Sequence, residues 1–108
     1  MIAEVDIREL AVAQRAGALV LDVREPSEYV AGHVPSAKLV PLGSLPDRIG
    51  ELPRHERIYV ICASGNRSRT AAALLAAAGL SASSVSGGTN AWVGSGAPVV
   101  RGPHENAA

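Results

Sequence analysis

The stretch that decides the fold is Ile58-Tyr59-Val60-Ile61-Cys62-Ala63-Ser64-Gly65-Asn66-Arg67-Ser68. It places the chain's only cysteine between an apolar, β-branched run and a small, polar segment that opens an alanine-rich helix. A strand, a short loop and a helix in this order point backbone N–H groups and the positive end of the helix dipole into one concave space. A thiolate at Cys62 would be stabilised there, with a pKa below the ~8.5 of a free thiol. A lone cysteine that closes an apolar strand is more commonly a small core residue, but the residues after Cys62 favour a nucleophile.

Helical and strand patterns alternate on both sides of this stretch. Strands are predicted at 18–21, 38–40, 57–61 and 83–85, and helices at 6–17, 26–31, 44–49, 68–78 and from 89 onward. This alternation predicts an α/β fold, in which a central parallel sheet is covered by helices on both faces. We expect one domain over 1–101 and a disordered tail over 102–108.

Composition narrows the classes of function. Ten acidic and ten basic residues give a net charge of zero, so nothing indicates a nucleic acid or a membrane surface as partner. One cysteine excludes an internal disulfide and a resolving thiol within the chain. The three histidines lack ligand spacing, so we predict no metal and no cofactor. With no signal-like start and no apolar stretch near ~20 residues, we predict a cytoplasmic protein.

Three motifs resemble those of the rhodanese-like, single-domain sulfurtransferase family. One is the segment from Cys62 to Ser68, which we name the cysteine loop. The others are Leu21-Asp22-Val23-Arg24-Glu25 with Gly32-His33-Val34-Pro35-Ser36-Ala37, and Val85-Ser86-Gly87-Gly88-Thr89-Asn90-Ala91-Trp92. The resemblance covers about residues 4–101 and implies a rhodanese-like sheet of about five strands. It also implies that Cys62 takes a sulfane sulfur from a donor such as thiosulfate and passes it, as a persulfide, to cyanide or a thiol.

The loop after Cys62 is expected to bind the substrate. Its N–H groups, the Ser68 hydroxyl and the Arg67 charge would stabilise the thiolate, so ping-pong kinetics need no strong general base. The predicted substrate-binding residues are Ala63, Ser64, Gly65, Asn66, Arg67 and Ser68. Parallel sheets bind ligands beyond the carboxyl ends of their strands, which is where Asp22 and Arg24 also lie. The resemblance implies that these two residues brace the site; Arg24 with Glu25 and Glu28 could equally be a solvated ion-pair cluster.

Other residues have competing interpretations. His33 invites a Cys–His pair, although a histidine in such a turn more often bonds to backbone. Gly87 and Gly88 could suggest a phosphate loop, and we interpret them as a tight turn near the active site. Trp92 is expected to anchor the core.

Two other functions compete with sulfur transfer by a small-molecule enzyme. Cysteine phosphatases, including those with the rhodanese fold, resemble a pattern of Cys, five residues and Arg. Here only four residues separate Cys62 from Arg67, and this smaller loop suits sulfur better than phosphate. The other alternative is a persulfide carrier in a relay, whose partner is a protein such as a cysteine desulfurase. A silent binding domain is disfavoured because Cys62 is present. Small, neutral Ala63 and Ser64 leave thiosulfate itself in question as the donor.

Overall fold

The computed structural model describes residues 2–106 and confirms the α/β class. Its strands are β1 (Ala3–Val5), β2 (Leu19–Asp22), β3 (Lys38–Leu39), β4 (Ile58–Ile61) and β5 (Ala82–Val85). Its α-helices are α1 (Ile7–Arg15), α2 (Pro26–Ala31), α3 (Leu45–Arg48), α4 (Asn66–Ala77) and α5 (Gly88–Gly94). The five strands pair in parallel, in the order β1-β5-β4-β2-β3.

The central strand β4 shows why the sheet is covered on both faces. Ile58, Val60 and the following Cys62 belong to a core cluster that includes side chains of α3 and α4. Ile61 belongs to a second cluster that includes side chains of α1, α2 and α5. Because successive side chains of a strand point to opposite faces, a fully apolar strand must bury both faces. The prediction of helices on both faces is confirmed.

Local signals at helix ends act as the sequence predicts. Asp6 Oδ1 accepts hydrogen bonds from the N–H groups of Arg8 and Glu9, at 3.0 and 2.9 Å. In return, the Asp6 N–H donates to the Glu9 carboxylate. This reciprocal capping box fixes the start of α1. Pro26 occupies the first turn of α2, where an N–H is not needed.

Strand β1 is absent from the sequence-based prediction. It has three residues, of which Ala3 and Glu4 are exposed, so it shows no buried alternation. It exists because its backbone pairs with β5, in the register Ala3 to Ser83 and Val5 to Val85. The other boundaries differ by a few residues, and the helix predicted at 44–49 is the short α3 between 3₁₀ turns at Leu42–Ser44 and Ile49–Glu51.

The segment predicted as a tail is described as far as Asn106, and 107–108 lie outside the described residues. The Gly102 N–H donates to the Val30 carbonyl at 2.9 Å, and the Ser36 N–H donates to the Glu105 carbonyl at 3.0 Å. The segment therefore contacts the end of α2 and the connection between α2 and β3. The disorder expected for 102–108 stays a prediction.

Candidate active site

Cys62 lies at the carboxyl end of β4, inside the loop that leads to α4. Its Sγ accepts hydrogen bonds from the backbone N–H groups of Gly65 and Ser68, at 3.1 and 3.3 Å. The Ser68 Oγ lies 3.5 Å from the sulfur. Gly65 has a φ of 110°, which favours glycine and lets the loop turn its N–H inward. Only 1% of Cys62 is exposed, so the sulfur sits at the bottom of a cradle of donors.

The cradle lowers the pKa of the Cys62 thiol. Burial raises this pKa, but hydrogen bonds from the Ser68 hydroxyl and from the N–H groups of Ser68, Gly65 and Ser64 favour the thiolate and outweigh burial. A lower pKa increases the fraction of the thiol that is ionised, and therefore nucleophilic, at a given pH.

We therefore expect the alkylation rate of Cys62 to rise with pH around a midpoint below the ~8.5 of a free thiol. Ser68→Ala should raise this midpoint by about 1–2 pH units, because a hydrogen bond to a charged group contributes ~1.5–3 kcal/mol. The measurement is iodoacetamide modification followed by mass spectrometry across a pH series.

Ser83→Ala is the matched control for that series. Ser83 is as buried as Ser68, but its hydroxyl accepts from Arg57 rather than facing the sulfur. Its midpoint should match the wild type. A wild-type midpoint at or above that of a free thiol would show Cys62 to be a core residue only.

The loop brings only part of its predicted donors to the sulfur. Among the described residues, the N–H groups of Asn66 and Arg67 make no hydrogen bond to Sγ, whereas those of Gly65 and Ser68 do. Ser64 and Asn66 are exposed on the outer side of the loop, and Ala63 is half-buried. Asn66 and Arg67 supply the first two N–H groups of α4, which have no acceptor within the helix.

The Gly87–Gly88 turn holds the loop from the side. The N–H groups of Thr89 and Asn90 donate to the carbonyls of Cys62 and Ala63, at 2.8 and 3.0 Å. A Cβ on Gly88 would lie only 2.5 Å from the Cys62 carbonyl oxygen. The interpretation of this pair as a tight turn beside the active site is confirmed, and its task is to let backbone approach backbone.

Ser84 is a contributor that the sequence reasoning missed. Its Oγ lies 2.7 Å from the Ser68 Oγ, and both residues are fully buried. The Ser68 Oγ also lies 3.2 Å from the Gly65 carbonyl oxygen, and its single hydroxyl hydrogen bonds either to that oxygen or to the Cys62 thiolate. A buried serine on β5 is weak evidence in a sequence, because nothing local shows which hydroxyl it meets.

Asp22 and Arg24 form a closed, buried pair at the end of β2. The Asp22 carboxylate accepts from the Arg24 guanidinium at 2.9–3.2 Å, and the Arg24 Nη2 also donates to the Gly32 carbonyl at 2.9 Å. This pair ties the end of β2 to the end of α2. Such a geometry agrees with the expected bracing role, which stays a prediction.

Glu28 and Arg67 form a second ion pair, across 39 positions of sequence. Arg67 Nη1 and Nη2 donate to the two Glu28 carboxylate oxygens at 2.7 and 2.9 Å. The Arg67 hydrogen bond holds the pKa of Glu28 at about 2, and Glu28 in turn raises the pKa of Arg67. The expected cluster of Arg24, Glu25 and Glu28 is thus not one network, because Arg24 turns to Asp22 and Glu28 to Arg67.

His33 makes backbone contacts, as a histidine in this turn was expected to do. Its Nδ1 lies 2.8 Å from the Tyr29 carbonyl, its Nε2 lies 2.9 Å from the His104 carbonyl, and its ring stacks on Tyr29. Both ring nitrogens are therefore occupied by backbone oxygens. Trp92 is buried, and its indole N–H donates to the Pro98 carbonyl at 2.7 Å.

Within residues 2–106 no group of three or more His, Cys, Asp or Glu side chains could hold a metal ion. Over the same residues, no helix is long and apolar enough to cross a membrane.

Comparison with known proteins adds an independent line of evidence. The family model of the rhodanese-like domain matches residues 6–95. The chain is 40% identical over 86 residues to the thiosulfate sulfurtransferase GlpE of Pseudomonas entomophila, which covers 78% of this chain and 79% of that protein. It is 47% identical over 53 residues to a putative sulfur carrier protein, YrkF of Bacillus subtilis, over 49% of this chain and 29% of that protein.

A solved structure shows the same architecture. The crystal structure of a rhodanese-related protein from Thermoplasma volcanium superposes with a TM-score of 0.86 at 36% identity, over 91% of this chain and 97% of the other.

Proposed function

This chain belongs to the family of rhodanese-like domains, and on that premise we propose that it moves a sulfane sulfur from a donor such as thiosulfate to a nucleophilic acceptor through a persulfide on Cys62. The observation that carries the proposal is the set of donors around Sγ, from Gly65 and Ser68. We further propose that the protein works in the cytoplasm, where reducing conditions keep a free thiol available.

The reaction has two steps. The Cys62 thiolate attacks the outer sulfur of thiosulfate, the S–S bond of the donor breaks, and sulfite leaves with the bonding pair. Cyanide then attacks the outer sulfur of the persulfide, and thiocyanate leaves while the thiolate returns. Donors aimed at Sγ stabilise the attacking thiolate and, in the second step, the thiolate that returns as the negative charge leaves the outer sulfur. The free N–H groups of Asn66 and Arg67 are positioned to receive the departing anion.

The burial of Cys62 supports this choice of substrate. A sulfane sulfur is a single terminal atom. It can therefore reach the Cys62 sulfur, although only 1% of this residue is exposed. A phosphorus atom surrounded by four oxygens is much wider, and attack on it needs a loop that opens around all of them.

The direct test is the mass of the intact protein after treatment with thiosulfate. We expect one added sulfur, about 32 Da, which cyanide then removes as thiocyanate. A protein that gains no sulfur from thiosulfate or from any persulfide would overturn the proposal.

A relay carrier is the second candidate, and the similarity to the putative sulfur carrier YrkF favours it. In that case the donor is a persulfide-bearing protein such as a cysteine desulfurase, and the acceptor is another protein. The two candidates separate when turnover with thiosulfate and cyanide is compared with sulfur transfer from a persulfide-loaded desulfurase. Faster loading from the protein donor would identify the carrier.

We expect the protein to hydrolyse phosphate esters below detection. Removal of one well-placed oxyanion donor costs about 10²–10³ in rate, and a loop with Arg67 one position early lacks several of the contacts that a phosphate requires. The measurement is p-nitrophenyl phosphate hydrolysis, with the sulfur-loading assay on the same sample as the positive control. Hydrolysis that disappears in Cys62→Ser, without sulfur loading, would establish a phosphatase instead.

A further inference from the structure

The ion pair between Glu28 and Arg67 occupies the one side-chain cation of the cysteine loop. Two of the five N–H groups of the guanidinium donate to the Glu28 carboxylate oxygens, at 2.7 and 2.9 Å, and the carboxylate balances the Arg67 charge. The pair lies at the surface, with 36% of the Arg67 side chain and 34% of the Glu28 side chain exposed. An incoming anion can therefore reach Arg67, but it meets a guanidinium that is already engaged.

Arg67 directly precedes Ser68, whose N–H donates to the Cys62 Sγ at 3.3 Å, so its charge lies close to the sulfur. The negative charges of Glu28, Cys62 and Asp22 all raise the pKa of Arg67, Glu28 most strongly. Arg24, the other cation on this side, is bound to Asp22. Among the described residues near the loop, the exposed Arg69 has no carboxylate partner, and its nearest polar contact is the Asn66 side chain at 3.5 Å. Asp22 balances the charge of Arg24, and Glu28 balances the charge of Arg67. The Cys62 thiolate therefore adds a negative charge that neither of these two cations balances.

We propose that Glu28 is a specificity-determining residue, which by engaging Arg67 favours persulfide donors of low net charge over dianionic thiosulfate. The proposal rests on the proposed sulfur transfer and names its substrate class. Thiosulfate must either displace a carboxylate that is tethered beside Arg67 or approach the thiolate while the Arg67 charge is balanced by Glu28. A tethered group competes at a high effective concentration. A low-charge persulfide needs neither, because it gives up its outer sulfur without placing two negative charges beside the thiolate.

The chemistry balances for both kinds of donor. With thiosulfate, the thiolate and the dianion yield a persulfide anion and sulfite. With a small persulfide, the Cys62 thiolate takes the outer sulfur and the donor leaves as its thiolate. With benzenethiosulfonate, benzenesulfinate leaves. In every case one S–S bond forms and one breaks, but the leaving groups differ, so each donor is compared between wild type and variant rather than with the other donors.

The test is Glu28→Gln, which removes the negative charge but keeps a side chain of the same shape. The amide oxygen can still accept the hydrogen bond that Glu28 now receives from the Glu25 N–H at 3.0 Å. We measure the rate of sulfur loading from three donors: thiosulfate, a dianion; benzenethiosulfonate, a monoanion; and cysteamine persulfide, whose ammonium group offsets the persulfide anion. Loading from thiosulfate should rise about tenfold, the scale of one unit charge a few ångströms away near the surface, with a smaller rise for benzenethiosulfonate and less than about twofold for cysteamine persulfide.

Salt and a second substitution separate electrostatics from a merely structural role. The gain with thiosulfate should shrink as ionic strength rises, because salt screens exposed charges. Glu25→Gln is the matched control: it removes the same charge from an exposed residue three positions away and should leave all three rates unchanged.

Equal changes for all three donors, in either direction, would show that Glu28 only supports the loop and would overturn the inference. Larger gains in Glu25→Gln than in Glu28→Gln would do the same. Absence of loading from every donor, in wild type and variants alike, would instead overturn the proposed sulfur transfer.

Discussion

We expect Cys62→Ser to abolish sulfur loading and turnover with every donor, while the protein stays folded. Serine matches cysteine in shape, so its hydroxyl can still meet the N–H groups of Gly65 and Ser68. It has neither the low pKa nor the sulfur chemistry that a persulfide requires. Removal of the nucleophile from an enzyme that works through a covalent intermediate costs about 10⁶ in rate, which here means the uncatalysed background.

The measurement pairs intact mass after thiosulfate treatment with thermal unfolding of the same samples. Wild type should gain one sulfur and the variant none, with unfolding midpoints within several degrees of each other. A variant that still gains sulfur would show that Cys62 is not the sulfur carrier. Cys62 is the only cysteine of the chain, so the added sulfur could not be bound to another cysteine.

Among the glycines of the chain, Gly88 is the one at which we expect substitution by alanine to reduce stability most. Its Cβ would lie 2.5 Å from the Cys62 carbonyl oxygen and 2.6 Å from that of Ala63, and Gly88 has a φ of +55°. Backbone atoms cannot rotate away as a side chain can. The left-handed conformation costs ~1–2 kcal/mol, and forced repacking costs ~1–3 kcal/mol more, so we expect a loss of about 2–5 kcal/mol in the free energy of unfolding. Sulfur transfer should fall with it, because the displaced peptide carries the nucleophile.

Gly94→Ala tests whether the damage comes from position rather than from the loss of a glycine. Gly94 lies at the end of the same helix, α5, and a Cβ there would meet no heavy atom within 4 Å. We expect this variant to be neutral or more stable by up to ~1 kcal/mol, from helix propensity. The measurement is thermal and urea unfolding of both variants. Equal stability of Gly88→Ala and wild type would contradict the close packing between the Gly87–Gly88 turn and the cysteine loop.

The first and last motifs of the chain both contact the cysteine loop. Glu28 of α2 reaches the loop from one side through Arg67, and the Gly87–Gly88 turn reaches it from another through the Cys62 and Ala63 carbonyls. The loop itself supplies the N–H groups that face Sγ. The electrostatics at Arg67 and the shape of the loop therefore depend on neighbours that are distant in sequence.

Much of the fold follows from local signals. The run from Ile58 to Ile61 is apolar on both faces, so it had to be a central strand, and the alanine-rich segment after Ser68 had to be a helix. Strand, loop and helix meet at Cys62 in consecutive residues, so the nucleophile and its N–H donors were accessible to sequence reasoning. The Gly87–Gly88 turn could also be predicted from the sequence, because a pair of glycines is typical of a tight turn with positive φ angles.

Tertiary structure alone decided the remainder, for one physical reason: each such feature depends on a partner that sequence distance hides. Strand β1 exists only because its backbone pairs with β5. Ser84 serves the site only because the sheet sets its hydroxyl beside Ser68, and the charge of Arg67 is answered by Glu28, 39 positions earlier. A hydrogen bond or an ion pair has no local periodicity. The sequence therefore determined which residue we propose as the nucleophile, and the fold decided which charges surround it.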